Sequence, residues 1–338
     1  MRRLRLVVGT LALLLLASLA PAAISAPGAG ADRRARTGSF LGIDGLTYPS
    51  APIVVDTASG LFFGPDFDLA CAYGGRAVPP MKAMTKLARL VERSGRRVIW
   101  SGAPSKTSVL FDHLAPGELP HGSCDEVGQR AQSRTTDTYR DPNYLPIRKP
   151  LSESTRQVYW RTDPHWTTVG GAIWARAIGA KLDPKLGDRQ RYTYGTETQV
   201  GLFNSLRGID TPETLETAMP AGHVHTRTSR SSVMQWAGYP NGVSDYSWDS
   251  RPANRTWPGH TLVFGDSFSF YALPNLLPLF RHGRFMWIGT VDVHDVVRAI
   301  RHSDTVVFEV YQTFLPLGTV LTTKEFRQQV RAALRGRS

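Results

Sequence analysis

Apolar positions along this chain fall into two patterns that take turns. Arg97–Ala103, Thr261–Gly265, Arg284–Ile288 and Thr305–Val310 are short runs dominated by apolar residues, the pattern of strands covered on both faces. Between them, apolar residues recur at helical spacing. Met81, Met84, Leu87, Ala88 and Val91 mark one helix that opens at Pro79 or Pro80 and stops at Gly95. Val169, Ile173, Ala177, Ile178 and Leu182 mark a second, capped by Thr167 or Thr168. Val293, Val296, Val297 and Ile300 mark a third, and Phe326, Val330 and Leu334 a fourth behind a capping box from Thr322 to Glu325. Strands alternating with helices predict an α/β fold with a doubly wound, mostly parallel sheet.

The remaining stretches break both patterns. Residues 27–52 are rich in Gly, Ala, Pro and Arg and predict a flexible linker, so the folded domain is expected to cover 53–338. Ser59–Asp68 predicts a strand or hairpin between turn residues. Phe111–Arg156 is loop-rich, with one short helix over Glu126–Ser133, and Gln157–Arg161 again predicts a strand. Residues 183–258 mix proline, glycine, threonine and aromatics without helical period, predicting an inserted loop-and-strand segment. Trp236, Tyr239, Tyr246, Trp248 and Trp257 concentrate there, either as a platform for sugar rings or as local packing.

Charge and cysteine content change the picture in one respect each. Arg2, Arg3 and Arg5 precede an apolar run to Leu19, so residues 1–26 predict an export signal, cleaved or retained as an anchor. An exported chain with only Cys71 and Cys124 favours a disulfide worth roughly 3–4 kcal/mol, the alternative being two unrelated buried thiols. The formal charge of +12 is compatible with attraction to an anionic polymer, but the arginines are scattered along the sequence as on a solvated surface. No nucleic-acid-binding motif accompanies them, and no cofactor motif is present. His223-Val224-His225 and Asp292-Val293-His294-Asp295 lack a third ligand at metal-site spacing, so no metal is expected.

Chemistry concentrates at two places. In Thr261-Leu262-Val263-Phe264-Gly265-Asp266-Ser267 a strand runs into a Gly-Asp turn and delivers a serine where a helix can start. The backbone N–H of such a serine can face an oxyanion. A hundred residues upstream, Thr162-Asp163-Pro164-His165-Trp166 offers an orienting carboxylate and a base. Asp163 would hold His165 by Nδ1, leaving Nε2 to take the Ser267 proton. Lys106, at the end of the Arg97–Ala103 strand, is a candidate for contact with substrate or developing negative charge. Trp166 and Trp248 are further substrate-binding candidates, and Gly289 and Gln312 candidate oxyanion donors beside Ser267.

Gly265-Asp266-Ser267 is similar to the nucleophile block of the SGNH hydrolases, and Asp163-Pro164-His165-Trp166 resembles their Asp/His block, in reversed order. Together with Gly60-Leu61-Phe62-Phe63 and Pro104-Ser105-Lys106, this order resembles the AlgX/AlgJ family of alginate O-acetyltransferases, AlgJ more than AlgX. Gly60 stands where the family usually has Trp, and Tyr311-Gln312 where a Glu-Arg pair often follows the late strand. The resemblance implies a permuted SGNH hydrolase-like domain, outside the cytoplasm, with Ser267 as nucleophile, His165 as base and Asp163 as orienter. It further implies acetyl transfer to a polysaccharide, with a membrane-bound O-acyltransferase as partner supplying the acetyl group. Two other readings share the same residues: a secreted carbohydrate acetylesterase, and an envelope assembly protein with a degenerate site.

Overall fold

A computed structural model of the chain describes residues 52–221, 225–236, 239–252, 255–288 and 291–335. The expected export signal and nearly all of the expected linker lie outside these residues, as do Gly289 and His223. The centre is a six-stranded sheet. In chain order the strands of the molecule are β1 (Val54–Thr57), β2 (Gly60–Phe63), β3 (Arg97–Ala103), β4 (Tyr192–Gln199), β5 (Glu213–Pro220), β6 (His225–Trp236), β7 (Tyr239–Arg251), β8 (Trp257–Gly265), β9 (Phe280–Trp287) and β10 (Thr305–Tyr311). The six lie in the order β3-β10-β8-β9-β7-β6. The first four are parallel, and β7 and β6 extend them as an antiparallel hairpin.

Period-two alternation sends successive residues of each parallel strand to opposite layers. Ile99, Val263 and Val307 belong to one hydrophobic core, while Val98, Trp100, Leu262, Phe264, Val306 and Phe308 belong to the other. Eight helices carry labels here: α1 (Gly64–Tyr73), α2 (Val78–Glu92), α3 (Lys106–Leu110), α4 (Ser123–Thr138), α5 (Thr168–Leu182), α6 (Ser267–Tyr271), α7 (Val293–His302) and α8 (Lys324–Arg335). Helix α5 covers the first core with Val169, Trp174, Ala175 and Ile178. Helices α2, α7 and α8 cover the second, through Met81, Met84 and Leu87, Val296 and Ile300, and Phe326 and Val330.

Several sequence expectations change. Within Ser59–Asp68 the expected strand is Gly60–Phe63, which pairs back with Val54–Thr57 outside that stretch, and Pro65 then sits in the first turn of α1, where its missing N–H costs nothing. The short helix expected over Glu126–Ser133 runs from Ser123 to Thr138. It packs on α1, and Cys71 and Cys124 form a disulfide between the two. Gln157–Arg161 joins no sheet. Its backbone returns on itself, with a bridge between Tyr159 and Trp166 and a bond from Thr167 N to Val158 O at 2.9 Å, so the Asp163–His165 step is the tip of a tight loop. The last helix is capped by Thr323, whose hydroxyl accepts from Phe326 N at 3.2 Å. Within 183–258, β4 and β5 form a separate hairpin while β6 and β7 lengthen the main sheet. Among the described residues no helix is long and apolar enough to cross a membrane.

Candidate active site

Ser267 stands just beyond β8, with Asp266 between, at the carboxyl end of the parallel strands, where open α/β sheets hold their ligands. Asp266 caps α6 through a bond from Phe268 N to Oδ1 at 2.9 Å, so the chain turns from strand to helix within one residue. The tight loop from Val158 to Thr167 brings His165 to the same edge. Its Nε2 lies 2.7 Å from Ser267 Oγ, and its Nδ1 lies 2.6 Å from Asp163 Oδ1. All three groups are buried, with exposures of 0% for His165 and 1% each for Asp163 and Ser267.

The carboxylate of Asp163 fixes both the loop and the tautomer. Oδ1 also accepts from His165 N at 2.9 Å, and Oδ2 accepts from Leu202 N at 2.9 Å. With Nδ1–H committed to the carboxylate, Nε2 carries the lone pair that faces the serine hydroxyl. The ring is held flat against Tyr271, with centroids 4.3 Å apart and planes 10° apart, and it touches Phe268. The arrangement can take a proton from Ser267, hold it as an imidazolium, and return it to a leaving group.

The other predicted site residues sit elsewhere than expected. Lys106 does not reach a substrate surface. Its ammonium is buried, donating to Leu61 O at 2.6 Å and Arg161 O at 2.8 Å, and it lies over the Phe62 ring. Burial pulls it down to about 7, opposed by the charges of Glu213 and Asp163. Trp166 is fully buried and donates its indole N–H to Phe268 O at 2.9 Å, which ties the base loop to the nucleophile turn. Trp248 is buried between strands, against Phe280 and Gly283, and presents no face to a sugar. Gln312 is buried just past β10, and its side-chain nitrogen has no protein partner among the described residues. Gly289 lies outside the described residues. Asp292 spends its carboxylate on the N–H of His294 as the cap of α7.

Sequence reasoning missed the groups that hold the base loop. Glu213, at the start of β5, accepts from Arg161 N at 2.9 Å and from Thr162 N and Oγ1 at 3.1 and 2.9 Å. Phe203 N donates to Thr162 O at 2.9 Å. Gly60 has φ +121°, and a Cβ there would fall 2.6 Å from Arg161 O, so only glycine lets β2 meet the loop this closely. Asp66 was missed as well. It is buried in α1 and accepts from Tyr311 at 2.6 Å, Thr313 at 2.7 Å and Thr107 at 2.9 Å, and burial pushes its carboxyl up to about 6.

Two cavities open at the opposite edge of the sheet. One, of about 800 Å³, is lined by Arg97, Trp257 and Thr305, and the other, of about 1230 Å³, by Arg191, Arg255 and Leu277. Neither includes a member of the Ser267–His165–Asp163 row.

Comparison with known proteins finds a family model that matches part of the chain. The profile described as the SGNH hydrolase-like domain of acetyltransferase AlgX matches residues 73–235, a span that includes Asp163 and His165 and ends before Ser267. Among curated proteins no sequence matches significantly. Among solved structures, PatB1 of Bacillus cereus is similar at TM-score 0.56 and 15% identity, over 80% of this chain and 99% of that one. A DHHW family protein from Eubacterium siraeum is similar at 0.56 and 15%, over 85% and 97%. The O-acetyltransferase domain of Pseudomonas putida AlgJ gives 0.49 and 17%, over 82% and 98%. At these identities PatB1 and the DHHW protein share the fold.

Proposed function

We propose that this protein, which carries an SGNH hydrolase-like domain of the AlgX acetyltransferase family, moves acetyl groups through an acyl-serine intermediate onto hydroxyls of a polysaccharide outside the plasma membrane. The observation that carries the reading is the continuous row Ser267 Oγ, His165 Nε2, His165 Nδ1, Asp163 Oδ1, with links of 2.7 and 2.6 Å. In the first half-reaction His165 Nε2 takes the hydroxyl proton as Ser267 Oγ bonds to the acetyl carbonyl carbon. The donor's ester or thioester bond breaks, and the leaving group takes the proton from the imidazolium. In the second, an acceptor sugar hydroxyl gives its proton to Nε2 and attacks the acyl-serine, which restores Ser267 and leaves an O-acetyl sugar. The Ser267 backbone N–H is the first donor to the oxyanion, and Gln312 is the candidate for a second among the described residues.

Transfer outside the cytoplasm rests on the apolar start of the chain and fits the Cys71–Cys124 disulfide, a bond of oxidising compartments. A membrane-bound O-acyltransferase is the proposed source of acetyl. Water and a sugar hydroxyl compete for the same acyl-enzyme, so one assay separates transferase from esterase. The protein is incubated with an activated acetyl ester, with and without neutral and anionic oligosaccharides, and both acetate and acetylated sugar are measured. Transfer predicts acetylated sugar at the expense of acetate. Acetate release that no glycan diverts would make the protein an esterase.

A further inference from the structure

Beside the Ser267 turn lies a second pair of carboxyl groups that the acyl-transfer steps leave unused. Glu309, near the end of β10, is fully buried. Its Oε2 accepts from Asp266 N at 3.1 Å, Ser269 N at 3.3 Å and Ser269 Oγ at 2.7 Å. Asp266 takes two other N–H groups, from Phe268 at 2.9 Å and from Tyr311 at 2.6 Å. The N–H groups of residues 266, 268 and 269 are thus each committed to a carboxyl oxygen, and that of Ser267 is not among them. Gly265 completes the cradle: a Cβ there would fall 2.1 Å from Ser269 Oγ and 2.7 Å from Glu309 Oε2. The strand end has to lack a side chain for the glutamate to reach the turn.

We propose that Glu309 is the positioning residue of the nucleophile: its carboxyl locks the Asp266–Ser269 turn so that Ser267 Oγ meets His165 and the Ser267 N–H points at the oxyanion. The inference rests on the acyl-serine reading above. Glu309 works in its protonated form. Burial, followed by the charge of Asp266, pushes its carboxyl well above the usual range, and Asp266 is itself raised by burial. Two carboxyls this close in the interior ionise once, so one negative charge, on Asp266, stands near the developing oxyanion where two would oppose it. Of the neighbouring ionisable groups, His165 acts on Asp266 and opposes its rise, and Tyr159 is itself pushed up by Glu309.

A protonated carboxyl and a carboxamide have nearly the same shape, and each sets an accepting carbonyl oxygen beside a donor, which gives the test its edge. Glu309→Gln should keep kcat within about 3-fold of the parent, because the amide oxygen accepts the same three bonds. Glu309→Ala should lower kcat about 100-fold with KM little changed, since a nucleophile misplaced by a fraction of an ångström loses roughly that much. Ser269→Ala, which removes one bond of the three, should lower kcat about 10-fold and keep the parent's melting temperature within a few degrees. Ser267→Ala is measured beside them. If Ser267→Ala is dead while folded Glu309→Ala and Ser269→Ala both stay within about 3-fold of the parent, this inference fails and the acyl-serine reading stands. If Ser267→Ala keeps activity, that reading fails first. Glu309→Gln as impaired as Glu309→Ala would overturn the protonated form and with it the proposal.

Discussion

The two segments that meet at the site are held in different ways. The nucleophile turn is largely self-made: Gly265 turns the strand, Asp266 caps the helix, and Glu309 from the neighbouring strand closes the bonds around it. The base loop joins no sheet; a few bonds within it, Thr167 N to Val158 O and His165 N to Asp163 Oδ1 among them, close its neck and tip, and the rest of its hold comes from outside. Lys106 and Leu61 hold Arg161 O, Glu213 holds two of its N–H groups, and Phe203 and Leu202 hold Thr162 O and Asp163. Asp66 joins the two systems, touching Thr107 beside the lysine and Tyr311 beside the nucleophile turn. The contrast teaches where precision comes from. A nucleophile on a sheet edge inherits its position from the sheet, whereas a base on a loop needs charged groups brought in from several elements.

Changes to the reacting groups should break both systems equally. Ser267→Ala, His165→Ala and Asp163→Asn are each expected to lower kcat by about 10³ to 10⁴ without changing the melting temperature much, measured with an acetyl ester and a thermal scan. Lys106→Met should affect only the clamped side. It leaves Leu61 O without its donor and the Arg161 carbonyl with only the Leu61 N–H, so kcat should fall about 100-fold. In the double variant with Asp163→Asn the losses should not add, because the lysine acts through the loop that carries Asp163. Additive losses would show that Lys106 acts independently of that loop. Glu213→Gln keeps one acceptor oxygen and should cost about 10-fold in kcat.

The last effect concerns the joint between the systems and is read in stability, not in rate. Asp66 keeps its proton up to about pH 6 in the folded chain against an ordinary value of 3.8, so the folded state holds more protons between those limits. Stability should therefore fall as pH rises through that window, by about 3 kcal/mol in all, and level off above it. Asp66→Asn should remove that part of the slope in urea titrations at pH 4, 5, 6 and 7. A slope unchanged in the variant would show that the carboxyl is not protonated inside the fold.

The same contrast decides what could be read from the sequence. The strand, the Gly-Asp turn and the serine are adjacent in the chain, so local pattern alone suggests Ser267. The parallel strands and the faces of α2 and α5 follow from periodicity, as Met81, Met84, Leu87 and Val169 show by their burial. The clamps come from Gly60, Lys106, Leu202 and Glu213, whose relation to Asp163 exists only after folding. Lys106 shows the cost: at a strand end it reads as a substrate contact, yet two carbonyls and an aromatic face draw its ammonium inward. Trp166 and Trp248 mislead likewise, since an aromatic next to a catalytic block or in a loop-rich segment carries no sign of which way it points. Glu309 lies inside an apolar strand, and nothing local marks a buried carboxyl there as a partner of a turn forty residues upstream.

The central claim is that one alcohol becomes acylated and passes the acyl group on. The most direct test is the site of that modification. Protein mixed with an acetyl ester is quenched in acid within the first turnover, digested and mapped by mass spectrometry. The account predicts one acetyl group, on Ser267, formed in the parent protein, much slower to form in His165→Ala, and lost from the parent when an acceptor glycan is added before the quench. Acetyl found on another residue while Ser267 stays unmodified, or turnover with no acyl-enzyme at Ser267 under conditions where its breakdown limits the rate, would contradict it.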